Sequence, residues 1–257
     1  MKYTLWQFLA LLALLVFSTT LPAKAQISLE QFQVISQAFQ AEFSTELAKQ
    51  NARLNINRPP SPQLPNFWWD LNDRHASYSA YTDSQGLTEH FLFLFGGYAR
   101  MPGMTPDGVA MTLCHELGHG IGGAPYKRKT DSTRASTEGQ SDYFATRSCI
   151  KRVFKYIPEF QPVQAPNAYT ENLCRQKFSS PEELYNCFRG FQALEVERLF
   201  FRQLASGGGE TDYHTPDLTV VDKVELQETF YPSAQCRLDT MIAGLLEQER
   251  PRCWYAP

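Results

Sequence analysis

"TLCHELGHGIGG", Thr112 to Gly123, is the most specific stretch of this 257-residue chain: His115 and His119 stand four apart, with Glu116 directly after the first. On a helix, residues four apart point the same way one turn apart, so the two imidazoles can reach a common point. Glu116 then lies roughly 100° round the helix, near enough to reach a water on a bound ion without binding the ion itself. Chance gives this pattern in under roughly 1 % of sequences with this histidine and glutamate content, which makes a coincidental pair of histidines the weaker reading. The flanks agree with a helix. Thr105-Pro106-Asp107 supplies an N-cap, a proline at the first helical position and an acid near the positive helix end, and Gly120, Gly122 and Gly123 supply a stop.

Two neutral ligands beside a base suit metal-assisted hydrolysis. A catalytic Zn2+ wants three protein ligands and one open position. The third ligand is expected from the neighbouring helix that begins at "EGQSD": Glu138 as the metal ligand, with Asp142 one turn on as the carboxylate that orients a ligand histidine. The plain alternative for these two acids is a solvated helix face. His75, His90 and His214 each stand alone in their segments and are weaker candidates for the metal.

Outward from this centre, "SLEQFQVISQAFQAEFSTELAKQ" opens with a Ser28/Gln31 capping box, and Leu29, Phe32, Ile35, Phe39, Phe43 and Leu47 recur at helical spacing. Asn57 to Asn66 is a proline-rich connector. "HASYSAY" and "TEHFLFLF" flank the turn "TDSQG" and predict an antiparallel hairpin. After the polar loop Lys127 to Thr137, "TEGQSDYFATRSCIKRVF" predicts a helix. Pro158, Pro162 and Pro166 break the next stretch. Ser180-Pro181 starts a long helix to about Ala205, "SGGGETDYHTPD" reads as a flexible loop, and a last helix begins near Pro232. The fold class expected is α+β, mainly helical, with a small antiparallel sheet packed on the metal-binding helix.

Residues 1–25 combine Lys2, an apolar run from Phe8 to Phe17 and Ala23-Lys24-Ala25, which reads as a secretory signal peptide. Residues 26–257 then form one domain, and no later stretch is apolar enough to span a membrane. Removing Lys2 and Lys24 takes the formal net charge from −3 to −5, and no basic tract is present, so nucleic acid is not an expected partner. The six cysteines allow 15 pairings, which the sequence leaves open; without a Cys-x-x-Cys spacing they read as disulfides of a periplasmic or secreted protein rather than as zinc ligands.

"HELGH" followed by a Glu-x-x-x-Asp helix resembles the gluzincin metallopeptidases, and "EGQSD" at this spacing is similar to their thermolysin branch. "FLFLFGGYAR" and "YPSAQCR" look more like the HtpX-type, CAAX-prenyl-protease-type family. That resemblance implies a zincin-like fold, one zinc ion per chain and peptide-bond hydrolysis. It also places Arg237 at the active site, with Tyr231 standing where the family has histidine.

The expectation is an exported zinc endopeptidase acting on peptides or unfolded protein, with zinc on His115, His119 and Glu138, and Glu116 as general base. Tyr231 and Arg237 are the first candidates to stabilise the oxyanion, and His214 is the second. Arg237 has a structural alternative, as ion-pair partner of Asp142 or Asp239. The strand Phe91 to Phe95 would take the substrate as an added strand, with Gly96-Gly97 allowing close approach. The rivals are a zinc-containing envelope chaperone or assembly factor, and a hydrolase of cell-wall amides.

Overall fold

A computed structural model describes residues 27–127, 134–202, 208–224 and 231–256. The expected signal peptide, and most of the Lys127 to Thr137 loop, lie outside these residues. The chain is α+β. In order, the elements are α1 (Leu29–Lys49), β1 (Ala52–Ile56), α2 (Phe67–Asp70), β2 (Ala76–Thr82), β3 (Thr88–Leu94), α3 (Gly96–Ala99), α4 (Pro106–Ile121) and α5 (Glu138–Phe144). A π turn (Ala145–Cys149) leads to α6 (Ile150–Val153), followed by α7 (Ala168–Lys177), α8 (Pro181–Phe201) and α9 (Ala234–Leu245). No helix among the described residues is long and apolar enough to cross a membrane.

The helix that carries His115 and His119, α4, is the axis of the molecule. Every residue from Pro106 to His119 is buried, as expected of a helix that packs on all sides. Thr105 caps it by accepting a 3.0 Å hydrogen bond from Gly108 N. Asp107 does more than favour the helix end: both its oxygens accept from Arg189 of α8 at 2.8 Å, which pins the start of α4 to α8. The sheet covers another flank of α4, and α5 and α8 pack beside it. The apolar stripe of α1 is buried as its spacing predicts, from Phe32 to Leu47. Each such side chain contributes roughly 1.5–3 kcal/mol by leaving water.

The sheet differs from expectation. β2 and β3 form the antiparallel hairpin, Tyr78 opposite Leu92, but β1 adds in parallel on the far side of β3, giving a mixed sheet in the order β1-β3-β2. Asn57 extends that pairing by side chain: its amide donates to Leu94 O and accepts from Leu94 N, each at 2.8 Å. Because β3 is central, its edges are already bonded and it cannot accept a substrate strand. The edge strands are β1 and β2, and it is β2 whose first residues line the cleft described below. Gly96 and Gly97 are likewise filled from within, since an added Cβ would lie 1.8 Å from Trp69 O and 1.9 Å from Asn72 O.

All six cysteines pair: Cys114–Cys149, Cys174–Cys187 and Cys236–Cys253. Such bonds persist in oxidising compartments. The first ties α4 to the π turn after α5. The third ties the C-terminal segment to α9 and places the buried Trp254 on Gly139, where an added Cβ would lie 2.3 Å from the indole.

Candidate metal centre

α5 runs close beside α4 because Gly118 has no side chain: a Cβ there would sit 2.9 Å from Ser141 Cα and 3.0 Å from Ser141 O. This contact, with Trp254 pressing on the other side of α5, brings Glu138 over the two histidines. His115, His119 and Glu138 are all buried, and one potential ligand atom from each lies within 4.8 Å of the others. His115 Nε2 is 3.4 Å from Glu138 Oε2, and His119 Nε2 is 3.5 Å from Glu138 Oε1. The acids at 138 and 142 therefore belong to a buried centre, and the solvated-face alternative does not hold.

The hydrogen bonds fix what these nitrogens can do. His119 Nδ1 lies 2.9 Å from Ser136 O, which only accepts, so Nδ1 carries the proton; Ser141 Oγ stands 2.8 Å from the same nitrogen. That leaves a lone pair on His119 Nε2. His115 Nδ1 stands 2.7 Å from Asp142 Oδ1, an ion-pair contact rather than an aligned hydrogen bond, and its Nε2 also turns inward. Two imidazole nitrogens and a carboxylate thus face one another in a buried space, an arrangement that favours a positive charge between them. Two imidazoles plus one carboxylate suit a borderline divalent cation. The group could hold a metal ion.

Charge is layered around this triad. Asp142, fully buried, accepts from Arg237 Nε and Nη2 at 2.7 and 2.8 Å, so the structural partner of Arg237 is Asp142 rather than Asp239. Burial opposes ionisation of Asp142, but Arg237 and His115 hold its carboxyl below the usual range. Burial likewise opposes a charged His115, yet Asp142 and Glu138 overcome it and hold its pKa up at about 10. His119, dominated by burial, falls to about 3. A metal-free centre therefore keeps one proton, on His115. Burial opposes ionisation of Glu138 as well, but the charged His115 beside it and Arg237 hold its carboxyl well below the usual range.

The centre opens into a cleft of about 370 Å³ lined by Glu116, Tyr231, Lys127, Glu197, His75 and the start of β2 from Ala76 to Tyr78, among others. Burial pushes Glu116 up to about 7. Tyr231 reaches the cleft at 38 % exposure, with Glu138's charge, then burial, raising its phenol pKa. His214 is not brought in: its ring packs against Tyr169 at 4.1 Å, away from the cleft lining. His90 accompanies Tyr78 OH at 2.9 Å and His75 packs on Phe95, so neither joins the metal group. Asp217 lies near Cys236 and Cys253, but the disulfide takes both sulfurs.

Two cleft residues carry no motif in the sequence. Lys127 Nζ sits 2.7 Å from Glu138 Oε1, and Arg237 Nη2 lies 3.9 Å from Oε2, so the carboxylate has a cation at each oxygen. Glu197 comes from an ordinary-looking position of α8. A lysine in a polar loop and a glutamate in an amphipathic helix give no local signal, and only the tertiary fold distinguishes them. Compared with family models, curated proteins and solved structures, the chain matches none.

Proposed function

We propose that the protein is a zinc peptidase of an oxidising compartment, periplasmic or secreted, that hydrolyses internal bonds of peptides or unfolded proteins. The observation that carries this reading is the convergence of His115, His119 and Glu138 with Glu116 beside them in one open cleft. Zinc bound there would supply Lewis acidity toward a carbonyl oxygen and make a water more acidic.

The remaining work falls to the chain's own residues. Glu116, held near neutrality by burial, takes a proton from water and passes it to the departing amine. Asp142, itself held by Arg237, would keep the His115 proton on Nδ1 and so leave Nε2 free to hold the zinc. Arg237 spends two of its donors on Asp142, so Tyr231 and Lys127 are better placed to donate to the oxyanion. The unpaired edge of β2, whose first residues line the cleft, receives the substrate as an added strand.

The test is digestion of unfolded protein and of purified cell wall, side by side, by the wild-type protein and by Glu116→Gln. Cleavage of unfolded protein that falls about 10²–10⁴-fold in the variant supports the peptidase reading. Cleavage of cell wall alone would point to amide hydrolysis there, and biological activity unchanged in Glu116→Gln would point to a chaperone.

A further inference from the structure

The cleft holds a third buried carboxylate, which the proposed chemistry leaves unused. Glu197, on α8, is 4 % exposed and lines the cleft beside Tyr98, Thr112, Glu116 and Phe200. Its Oε1 accepts a 2.6 Å hydrogen bond from Thr112 Oγ1, and Tyr98 OH stands 3.1 Å from that same hydroxyl. Thr112 has a single proton, and Glu197 at 2.6 Å is the nearer acceptor than Gly108 O at 3.1 Å; with that proton on Glu197, Tyr98 donates to Thr112 in turn, and two hydroxyls in series fix the direction of the carboxylate.

Glu197 lacks what three of the other buried acids have. Glu138 has Lys127, Asp142 has Arg237 and Asp107 has Arg189 within 2.8 Å. No cation among the described residues pairs with Glu197, and burial raises its carboxyl pKa. The charges of His115 and Arg237 reach Glu197 only from beyond ion-pair distance; a buried carboxylate with no cation in contact lowers stability, so its presence at a cleft wall points to a cation that arrives from outside. The walls suit such a visitor. Phe200, part-exposed and packed edge to face on the buried Tyr98 at 5.0 Å, gives aromatic surface for an alkyl stem and for a cationic head. Thr112 precedes Glu116 by four residues on α4, which sets this floor about one helical turn, roughly 5.4 Å, from the base.

We infer that Glu197 is the floor of a subsite that takes the side chain of a lysine or arginine flanking the scissile bond. This deepens the peptidase reading and rests on it for the scissile bond, though not for the cation.

The test has two arms. Zinc-loaded protein digests a peptide library blocked at both ends, and cleavage sites are read by mass spectrometry; separately, calorimetry measures binding of matched blocked peptides, lysine against norleucine, to Glu116→Gln. Lysine and arginine should be enriched at one position beside the cut, and the lysine peptide should bind about tenfold or more tighter than norleucine. Glu197→Gln keeps an acceptor for Thr112, and its thermal unfolding reports whether the fold is intact. Added to each protein, it should collapse both preferences to within about twofold. Peptides cut without basic preference, and bound equally, overturn the subsite while leaving the peptidase. Tight lysine-selective binding without any cleavage overturns the peptidase while leaving the subsite. Preferences that survive Glu197→Gln overturn the assignment of this residue.

Discussion

Replacing Asp142 by Asn perturbs the centre without touching a metal ligand. The fully buried carboxylate contacts His115 at 2.7 Å and accepts two hydrogen bonds from Arg237. Oδ1 takes Arg237 Nη2 and faces His115 Nδ1 while Oδ2 takes Arg237 Nε, so an amide of the same shape sets its NH2 against an Arg237 donor in either orientation. Arg237 is left buried with one hydrogen bond to the amide oxygen and with the charges of Glu138, 3.9 Å away, and Glu197 as compensation. Breaking a buried pair costs about 3–5 kcal/mol, and the remaining Glu138 places the expected loss near the lower end, about 3 kcal/mol. Against a total stability of about 5–15 kcal/mol that is a large fraction, measurable by urea unfolding in chelator. Metal affinity should also fall about 10–100-fold, read by competition with a chromophoric chelator. Adding Arg237→Met removes the orphaned cation and should restore part of the stability without restoring affinity. Stability within about 1 kcal/mol of wild type together with affinity within about twofold would refute the assigned role of Asp142.

The same geometry sets further outcomes. Metal uptake at pH 7.5 should release about one proton, because His115, held at about 10, surrenders its Nε2 proton on ligation; calorimetry in buffers of different ionisation enthalpy reads the number, and none released would contradict it. The same upward shift from 6.5 means that His115 stabilises the metal-free fold fully below pH 6.5 and that this contribution is lost as pH rises through 10, which unfolding in chelator across that range measures. Gly118→Ala drives a Cβ to 2.9 Å from Ser141 Cα, so separation of α4 and α5 should cost about 1–3 kcal/mol and weaken metal binding; an unchanged chelator titration would mean that helix spacing does not set the site. Replacing Cys114 and Cys149 together by Ala, which opens a bond across 35 residues, should cost about 2–5 kcal/mol in thermal unfolding, and a loss under about 1 kcal/mol would count against it.

The centre is legible in the sequence where its logic is local. A helix places residues four apart together, so His115 and His119 pair from spacing alone, and the Thr105 and Ser28 caps mark their helix starts. Glu138 and Asp142 are readable because they stand one turn apart on the next helix. What depends on distant partners is not readable. β1 is five residues long and pairs only with β3 across the proline-rich connector, so local patterning gives no sign of it and misplaces the open edge of the sheet. "AYTENLCRQK" forms a helix behind its Asn167 cap although the prolines before it suggest interruption. His214 sits in glycine-rich surroundings, which say nothing of where a loop lands. Lys127 and Glu197 acquire meaning only from what the fold sets beside them.

The most direct measurement is metal stoichiometry of the purified protein after equilibration with zinc and removal of excess, for wild type, Glu138→Ala and His119→Ala. One tightly held ion per wild-type chain, lost in both variants while folding is retained, is the expected result. A wild-type chain that binds no ion, or variants that keep the full stoichiometry, would contradict a metal held jointly by His115, His119 and Glu138.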